Sequence, residues 1–133
     1  MNELAVVDAS AAVFALADPS PAADELATRL AGAECHAPHL VDAEVGNMMR
    51  RNLRQGIVDE ETAASVIRAT RSLVDRRYAH AALVDTAWEL RGAITFYDAL
   101  YVALAASLDV PLLTADAKLS RAPKLPCKVE VVG

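Results

Sequence analysis

Four carboxylates, Asp8, Glu44, Asp98 and Asp116, stand where the sequence brings charge to the edge of apolar segments. Asp8 ends the run Leu4-Ala5-Val6-Val7, and Asp116 follows Leu112-Leu113-Thr114 after one residue. Asp98 opens a stretch, Ala99 to Leu108, that carries no charge and is apolar on every face. A helix apolar all round is buried, so Asp98 lies in the first turn of a buried helix, where the helix dipole favours an anion. Glu44 shares a polar stripe with Asn47 and Arg51, beside the apolar face of Val41, Val45 and Met48. Read singly, the three aspartates are caps or turn acids and Glu44 is an ordinary exposed side chain. A neutral Ser or Thr, however, would cap the helix after Asp98 without bringing charge inward.

Read together they mean more. Two unit charges about 4 Å apart repel by about 4 kcal/mol at an effective dielectric near 20. Converging carboxylates therefore take up protons or hold a cation. An all-oxygen set suits Mg²⁺ or Mn²⁺, whereas zinc prefers His and Cys. Such sites bind the metal through one or two carboxylates plus water and substrate phosphate, and the implied chemistry is phosphoryl transfer or phosphodiester hydrolysis.

The elements that must position these groups alternate. Leu4–Val7 reads as a buried strand. An Ala-rich segment follows, then a helix with Ser20 as N-cap, Pro21 in its first turn and Gly32 as its stop. Cys35–Ala37 reads as a short strand and Leu40–Gln55 as a helix closed by Gly56. Asp59 caps a helix that turns Ala63, Val66, Ile67, Thr70 and Val74 inward. A weakly marked strand at Arg77–Ala79, a helix through Trp88 to Arg91, a helix from Tyr97 to Leu108 and strands at Pro111–Thr114 and Lys128–Val132 complete the pattern. Strands alternating with helices imply a parallel sheet covered on both faces. In such folds sites gather beyond the carboxyl ends of the strands, and both Asp8 and Asp116 belong at that edge.

At 133 residues the chain has the size of one domain, with 54% apolar and 23% charged residues excluding a disordered chain. No apolar run reaches a membrane span and the N-terminus does not read as a signal peptide, so a cytoplasmic protein is expected. Cys35 and Cys127 lie in apolar, strand-like contexts and read as buried thiols. His36 and His39 near Cys35 match no closed zinc site and read as surface or edge-strand residues. The net charge of −5 argues against a charge-driven nucleic-acid binder. Seven of the ten arginines nevertheless fall between Arg50 and Arg77, with only four acids among them, either a solvated helical face or a phosphate-facing patch.

Four segments carry a family resemblance: Val6-Val7-Asp8-Ala9-Ser10, Glu44-Val45-Gly46-Asn47, Thr95 to Ala105, and Leu112-Leu113-Thr114-Ala115-Asp116. In this order and at this length the sequence resembles a PIN domain, specifically the VapC-type toxin ribonucleases of type II toxin–antitoxin pairs. The resemblance implies one PIN-like domain over residues 1–133, a three-layer α/β/α sandwich around a mainly parallel sheet of four to five short strands. It implies an acidic site of Asp8, Glu44, Asp98 and Asp116 holding Mg²⁺ or Mn²⁺ for hydrolysis of RNA. Ser10 and Thr114 would orient carboxylates, Asn47 would support Glu44, and Lys118 is either solvated or meets a phosphate. The implied partners are RNA, a small cognate antitoxin and a second copy of the chain, with no membrane contact and no DNA binding by this chain alone. An antitoxin helix would lie in an apolar groove, with Val13, Phe14 and Leu16 or Leu53, Ile57 and Ile67 as candidates.

Other classes fit less well. A phosphoacceptor receiver domain needs an acidic pair after its first strand and an acceptor Asp after a middle one, and this chain has neither. A phosphatase with an Asp nucleophile has a second acid two residues on, where this chain has Ser10. The alternative within the family is a catalytically silent PIN-like binding or regulatory module, whose mark is loss of an acid; all four are present.

Overall fold

The computed structural model describes residues 2–133; Met1, the first residue of the expected domain, lies outside the described residues. Five strands, β1 (Glu3–Val7), β2 (Ala33–Pro38), β3 (Arg76–Tyr78), β4 (Leu112–Thr114) and β5 (Val129–Val131), form one sheet ordered β3-β2-β1-β4-β5. Every pairing is parallel, with Val6 opposite His36 on one side and Leu112 on the other. The helices are α1 (Ala9–Ala17), α2 (Pro21–Ala31), α3 (Leu40–Arg54), α4 (Glu60–Leu73), α5 (Val84–Glu89), α6 (Phe96–Leu108) and α7 (Ala117–Ser120).

Ala5, Val6 and Val7 are fully buried, as an inner strand covered on both faces requires. From β1 the chain steps outward through α1 and α2 to β2, then through α3 and α4 to β3. It returns through α5 and α6 to lay β4 on the other side of β1. Right-handed crossovers in opposite directions put the two helix groups on opposite faces. Helices α1 to α4 accordingly pack on one another, while α5 packs on α6 and α6 lies over β1, β2 and β4. The result is the expected three-layer α/β/α sandwich. Strand order reverses between β1 and β4, and the carboxyl edge of that pair is where such sheets bind ligands.

Local signals act where the sequence puts them. The Ser20 hydroxyl accepts from the Ala23 N–H and the Asp59 carboxylate from the Thr62 N–H, capping α2 and α4. Beyond α3, Gly56 adopts φ +72°, the left-handed conformation that ends a helix without a Cβ penalty. In α6 every residue from Ala99 to Ala105 is buried, as its chargeless sequence requires.

Several expectations need correction. The Ala-rich segment after Asp8 is the helix α1, and the single-turn α7 was unmarked in the sequence. His36 lies on an inner strand and is buried, with a ring nitrogen 2.8 Å from the Tyr78 hydroxyl, so it is neither a surface nor an edge residue. Cys127 is half-buried and precedes β5; Cys35 is buried, and desolvation pushes both thiols up to about 11. Val13 belongs to the core, with Phe14 and Leu16 packed against it, which removes α1 as an apolar docking groove. Leu53, Ile57 and Ile67 are exposed on α3, its following turn and α4, so Ile67 does not turn inward with Ala63, Val66 and Thr70 as expected. Among the described residues no helix is long and apolar enough to cross a membrane.

Candidate active site

The parallel ladder continues one step past β1, where the Asp8 N–H donates to the Leu113 carbonyl at 3.2 Å. The chain then turns into α1, and the Asp8 carboxylate accepts from the Ala11 N–H at 2.9 Å, capping the helix. The cap role and a site role coexist, because a carboxylate has further lone pairs to offer. Ser10 donates to the same Asp8 oxygen at 2.7 Å. Its hydroxyl also accepts from the Ala115 N–H at 2.9 Å and lies 3.2 Å from the Thr114 hydroxyl. The Thr114 hydroxyl lies between the Ser10 oxygen and the Asp8 carboxylate. Thr114 in turn accepts from the Asp116 N–H at 3.0 Å. Two short side chains thus tie the loop after β1 to the loop after β4, and with them the positions of Asp8 and Asp116. Ser10 touches the carboxylate it was expected to orient, and the Thr114 hydroxyl both accepts from the Asp116 backbone and acts on Asp8, whose pKa its hydrogen bond lowers.

Asp98 enters from the opposite layer, in the first turn of α6, whose cap is Thr95 accepting from the Asp98 N–H at 3.1 Å. The carboxylate is therefore not needed as the cap. Glu44 projects from α3 and accepts a 2.6 Å hydrogen bond from the Tyr101 hydroxyl. Tyr101 lies three residues after Asp98, on the same side of α6, and it is almost wholly buried. Asn47 is exposed on the pocket wall, and the bond to Glu44 comes from Tyr101.

All four carboxylates line one pocket of about 300 Å³, together with Ser10, Asn47, Arg51, Tyr97 and Tyr101. Burial pushes the Asp8 carboxyl above its ordinary range, and the charge of Asp98 adds to it. Glu44 is raised by burial and then by Asp98 and Asp8, and Asp98 by burial and then by Asp116. Mutual repulsion therefore runs through the whole set. Tyr101 is pushed far above its ordinary value by burial and by its bond to Glu44, so it stays a donor. None of the four carboxylates has an ion-pair partner among the described residues.

The donor set fits a small hard cation: oxygen only, mutually repelling, half-buried and open to water on the Asp116 side. Among the described residues no three acidic, imidazole or thiol groups stand close enough to cage an ion unaided. Mg²⁺ asks for less than a cage, since it keeps several waters and takes one or two carboxylates.

A family model for the PIN domain matches residues 5–125 of this chain. The chain belongs to the PIN-domain family. This PIN domain is 48% identical over 128 residues to Ribonuclease VapC1 of Mycobacterium tuberculosis, covering 96% of each chain. It is 38% identical to Ribonuclease VapC9 of the same organism, covering 96% of this chain and 97% of that one. Its fold is similar to a chain of VapBC2 from Rickettsia felis, solved bound to a DNA fragment from their promoter. The TM-score is 0.70 at 16% identity, covering 98% and 99% of the two chains, a likeness of fold alone.

Two pocket residues were not singled out from the sequence. Tyr101 and Tyr97 lie inside the segment that carries the family resemblance, where Tyr101 reads as part of the all-apolar stretch and Tyr97 is given no role. The available signal was the spacing of Tyr101 from Asp98, which puts a hydroxyl beside the acid as the one polar side-chain group between Asp98 and Ser107.

Proposed function

We propose that this PIN domain, acting as a single domain over its 133 residues, is a metal-dependent endoribonuclease of the VapC toxin type. The observation that carries the reading is four unpaired carboxylates repelling one another around one pocket, in a chain 48% identical to a VapC ribonuclease. Mg²⁺ or Mn²⁺, when bound, supplies an activated water and Lewis-acid stabilisation of the departing oxygen. Asp8 and Asp98 would hold the ion, with Asp116 beside them on the exposed rim of the pocket. Glu44, its pKa raised and its oxygen held by Tyr101, is positioned to take up a proton. Ser10 keeps Asp8 aimed, through a network that a one-atom change would loosen. Arg51, exposed on the same pocket, offers the one cation there for a phosphate about to be cut.

The test is cleavage of single-stranded RNA by purified protein, with new 5′ ends mapped across cellular RNA after brief induction. Mg²⁺ and Mn²⁺ are expected to support cutting and Ca²⁺ to support it poorly, its looser geometry misplacing the attacking water. Undiminished cleavage in excess EDTA would refute the metal dependence.

The toxin reading extends to partners in the cytoplasm: a second copy of this chain and a small antitoxin, a reading supported by its likeness in fold to a chain of VapBC2. The apolar surface for an antitoxin helix is Leu53, Ile57 and Ile67, which are 38%, 64% and 44% exposed. Co-expression with the adjacent small open reading frame and light scattering should give a complex built on a toxin dimer. Ile57→Asp with Ile67→Asp should abolish that complex and leave RNA cleavage intact. A wild-type monomer that never co-purifies with the product would refute the partner assignment.

A further inference from the structure

Next to the acidic pocket lies a larger channel of about 730 Å³, between the turn that joins α5 to α6 and the segment around α7. The two share Asp98 and Asp116, so the channel opens directly from the rim of the site. Its walls carry Arg91, Lys118 and Arg121. These three cations stand against the two carboxylates Asp98 and Asp116 at the rim, in a chain of net −5, and they lie apart from the arginine-rich span of residues 50–77.

Of the arginines and lysines among the described residues only Arg29 and Arg77 are ion-paired, and what sets the channel cations apart from the other unpaired ones is their place beside Asp98 and Asp116. Arg29 is held by Glu3 and Glu130, and Arg77 by Asp42 at 2.6 Å. None of Arg91, Lys118 and Arg121 has a carboxylate within 4 Å among the described residues. Arg91 is also held in place: its guanidinium lies 4.7 Å over the Trp88 ring and donates to the Trp88 carbonyl at 2.9 Å. Lys118 is placed by the site itself, because the Asp116 carboxylate accepts from the Lys118 N–H at 2.9 Å and caps α7. Unmatched, partly fixed cations along an open channel bind a chain of anions, and a single-stranded nucleic-acid backbone is such a chain.

We propose that this channel is the track for the RNA strand on one side of the cut, with backbone phosphates meeting Arg91, Lys118 and Arg121. The assignment rests on the ribonuclease reading for the identity of the strand. It shifts the phosphate-binding surface away from the α4 and β3 arginines to three residues beside the carboxylates. An acidic protein gains local affinity for a polyanion in this way without becoming a general nucleic-acid binder.

The test is fluorescence anisotropy with a fluorescein-labelled single-stranded RNA oligonucleotide of mixed sequence. Ca²⁺ replaces Mg²⁺, so that the strand is bound but scarcely cut. Two triple variants are compared: Arg91→Gln, Lys118→Gln, Arg121→Gln in the channel, and Arg68→Gln, Arg71→Gln, Arg76→Gln on the exposed α4 and β3 surface. Each removes three positive charges, so net charge changes equally and only location differs. The channel variant is expected to bind about 10-fold more weakly, with the slope of log K against log salt reduced by about 2, from roughly 0.7 per phosphate contact on a single strand. The surface variant should bind like the wild type. Lys118→Gln alone, whose side chain has no partner to lose, should carry about a third of the slope change and guards against a misfolded triple.

Equal weakening by both triples, or by neither, would overturn the channel. Wild-type cleavage with normal binding by the channel variant would leave the ribonuclease standing and refute the channel. The expected binding pattern in a protein that cuts no RNA would do the reverse.

Discussion

Glu3 and Glu130 converge on Arg29, which donates to both carboxylates, whereas Asp8, Glu44 and Asp98 converge on one another. The Arg29 guanidinium holds Glu3 and Glu130 below the usual carboxylate range. Burial and mutual repulsion hold the pocket acids above it. Both clusters join distant parts of the chain, yet only one is internally compensated. The Glu3 and Glu130 charges are compensated by Arg29 within the chain, and the pocket charges are left for something from outside. The difference predicts opposite consequences for neutralising an acid in the two places.

The largest effect belongs to the pocket. Asp8→Asn and Asp98→Asn should each lower RNA cleavage by at least about 100-fold, more than loss of a mere supporting group. In chelator the same variants should melt higher, by roughly 2–6 °C for about 1 kcal/mol of relieved repulsion. Asn caps α1 as well as Asp does, so the rise at Asp8 is not cancelled by a lost cap. Arg29→Ala should do the opposite, lowering the melting temperature through a loss of at most about 1 kcal/mol of stability for so exposed a network and leaving cleavage intact. A pocket variant that melts lower, or an Arg29 variant that loses activity, would break the contrast.

Tyr101→Phe tests a finer feature. The hydrogen bond from Tyr101 lowers the Glu44 pKa against the burial and neighbouring charges that raise it. Its loss should therefore move the acid limb of the pH–rate profile to higher pH, with cleavage at neutral pH reduced by about 10-fold. A profile that falls in height without moving would assign Tyr101 a packing role only.

The smallest effect is on stability against pH. Asp8, Glu44 and Asp98 have folded-state pKa values above their unfolded ones, so the folded state holds their protons longer. Their unfavourable contribution is absent below the unfolded values and grows as pH rises through the folded ones. Glu3, Asp42 and Glu130 are lowered in the folded state. The stability they contribute is present above the unfolded values and lost as pH falls through the folded ones. The melting-temperature gain of Asp98→Asn over the wild type, measured in chelator, should therefore shrink as pH falls to 4. The loss in Arg29→Ala should shrink only at lower pH still.

Much of this was legible because the relevant signals are local. Asp8 and Asp116 each follow an apolar strand directly, and a parallel sheet leaves the ends of adjacent strands no choice but to share an edge. Asp98 stood out because the ten residues after it carry no charge. The rest depends on distance in the fold. Tyr101 meets Glu44 across 57 positions of sequence, and neither residue's neighbours encode that bond. His36 was misread because its strand's place in the sheet depends on β3, three residues with an exposed first position. Val13, Phe14 and Leu16 read as surplus apolar surface because periodicity marks an apolar face without saying what covers it. The three channel cations are spread over 31 positions, and no window of sequence joins them.

The central claim is that the unpaired carboxylates are a cation site, and calorimetric titration of Mn²⁺ into metal-free protein tests it directly. The wild type is expected to bind Mn²⁺ and, at mildly acidic pH, to release protons as the raised carboxyls ionise. Asp8→Asn and Asp98→Asn should lose that binding at least about 10-fold, while Arg29→Ala keeps it. Equal Mn²⁺ affinity in the wild type and both pocket variants would contradict the account and leave a silent PIN-like module as the better description.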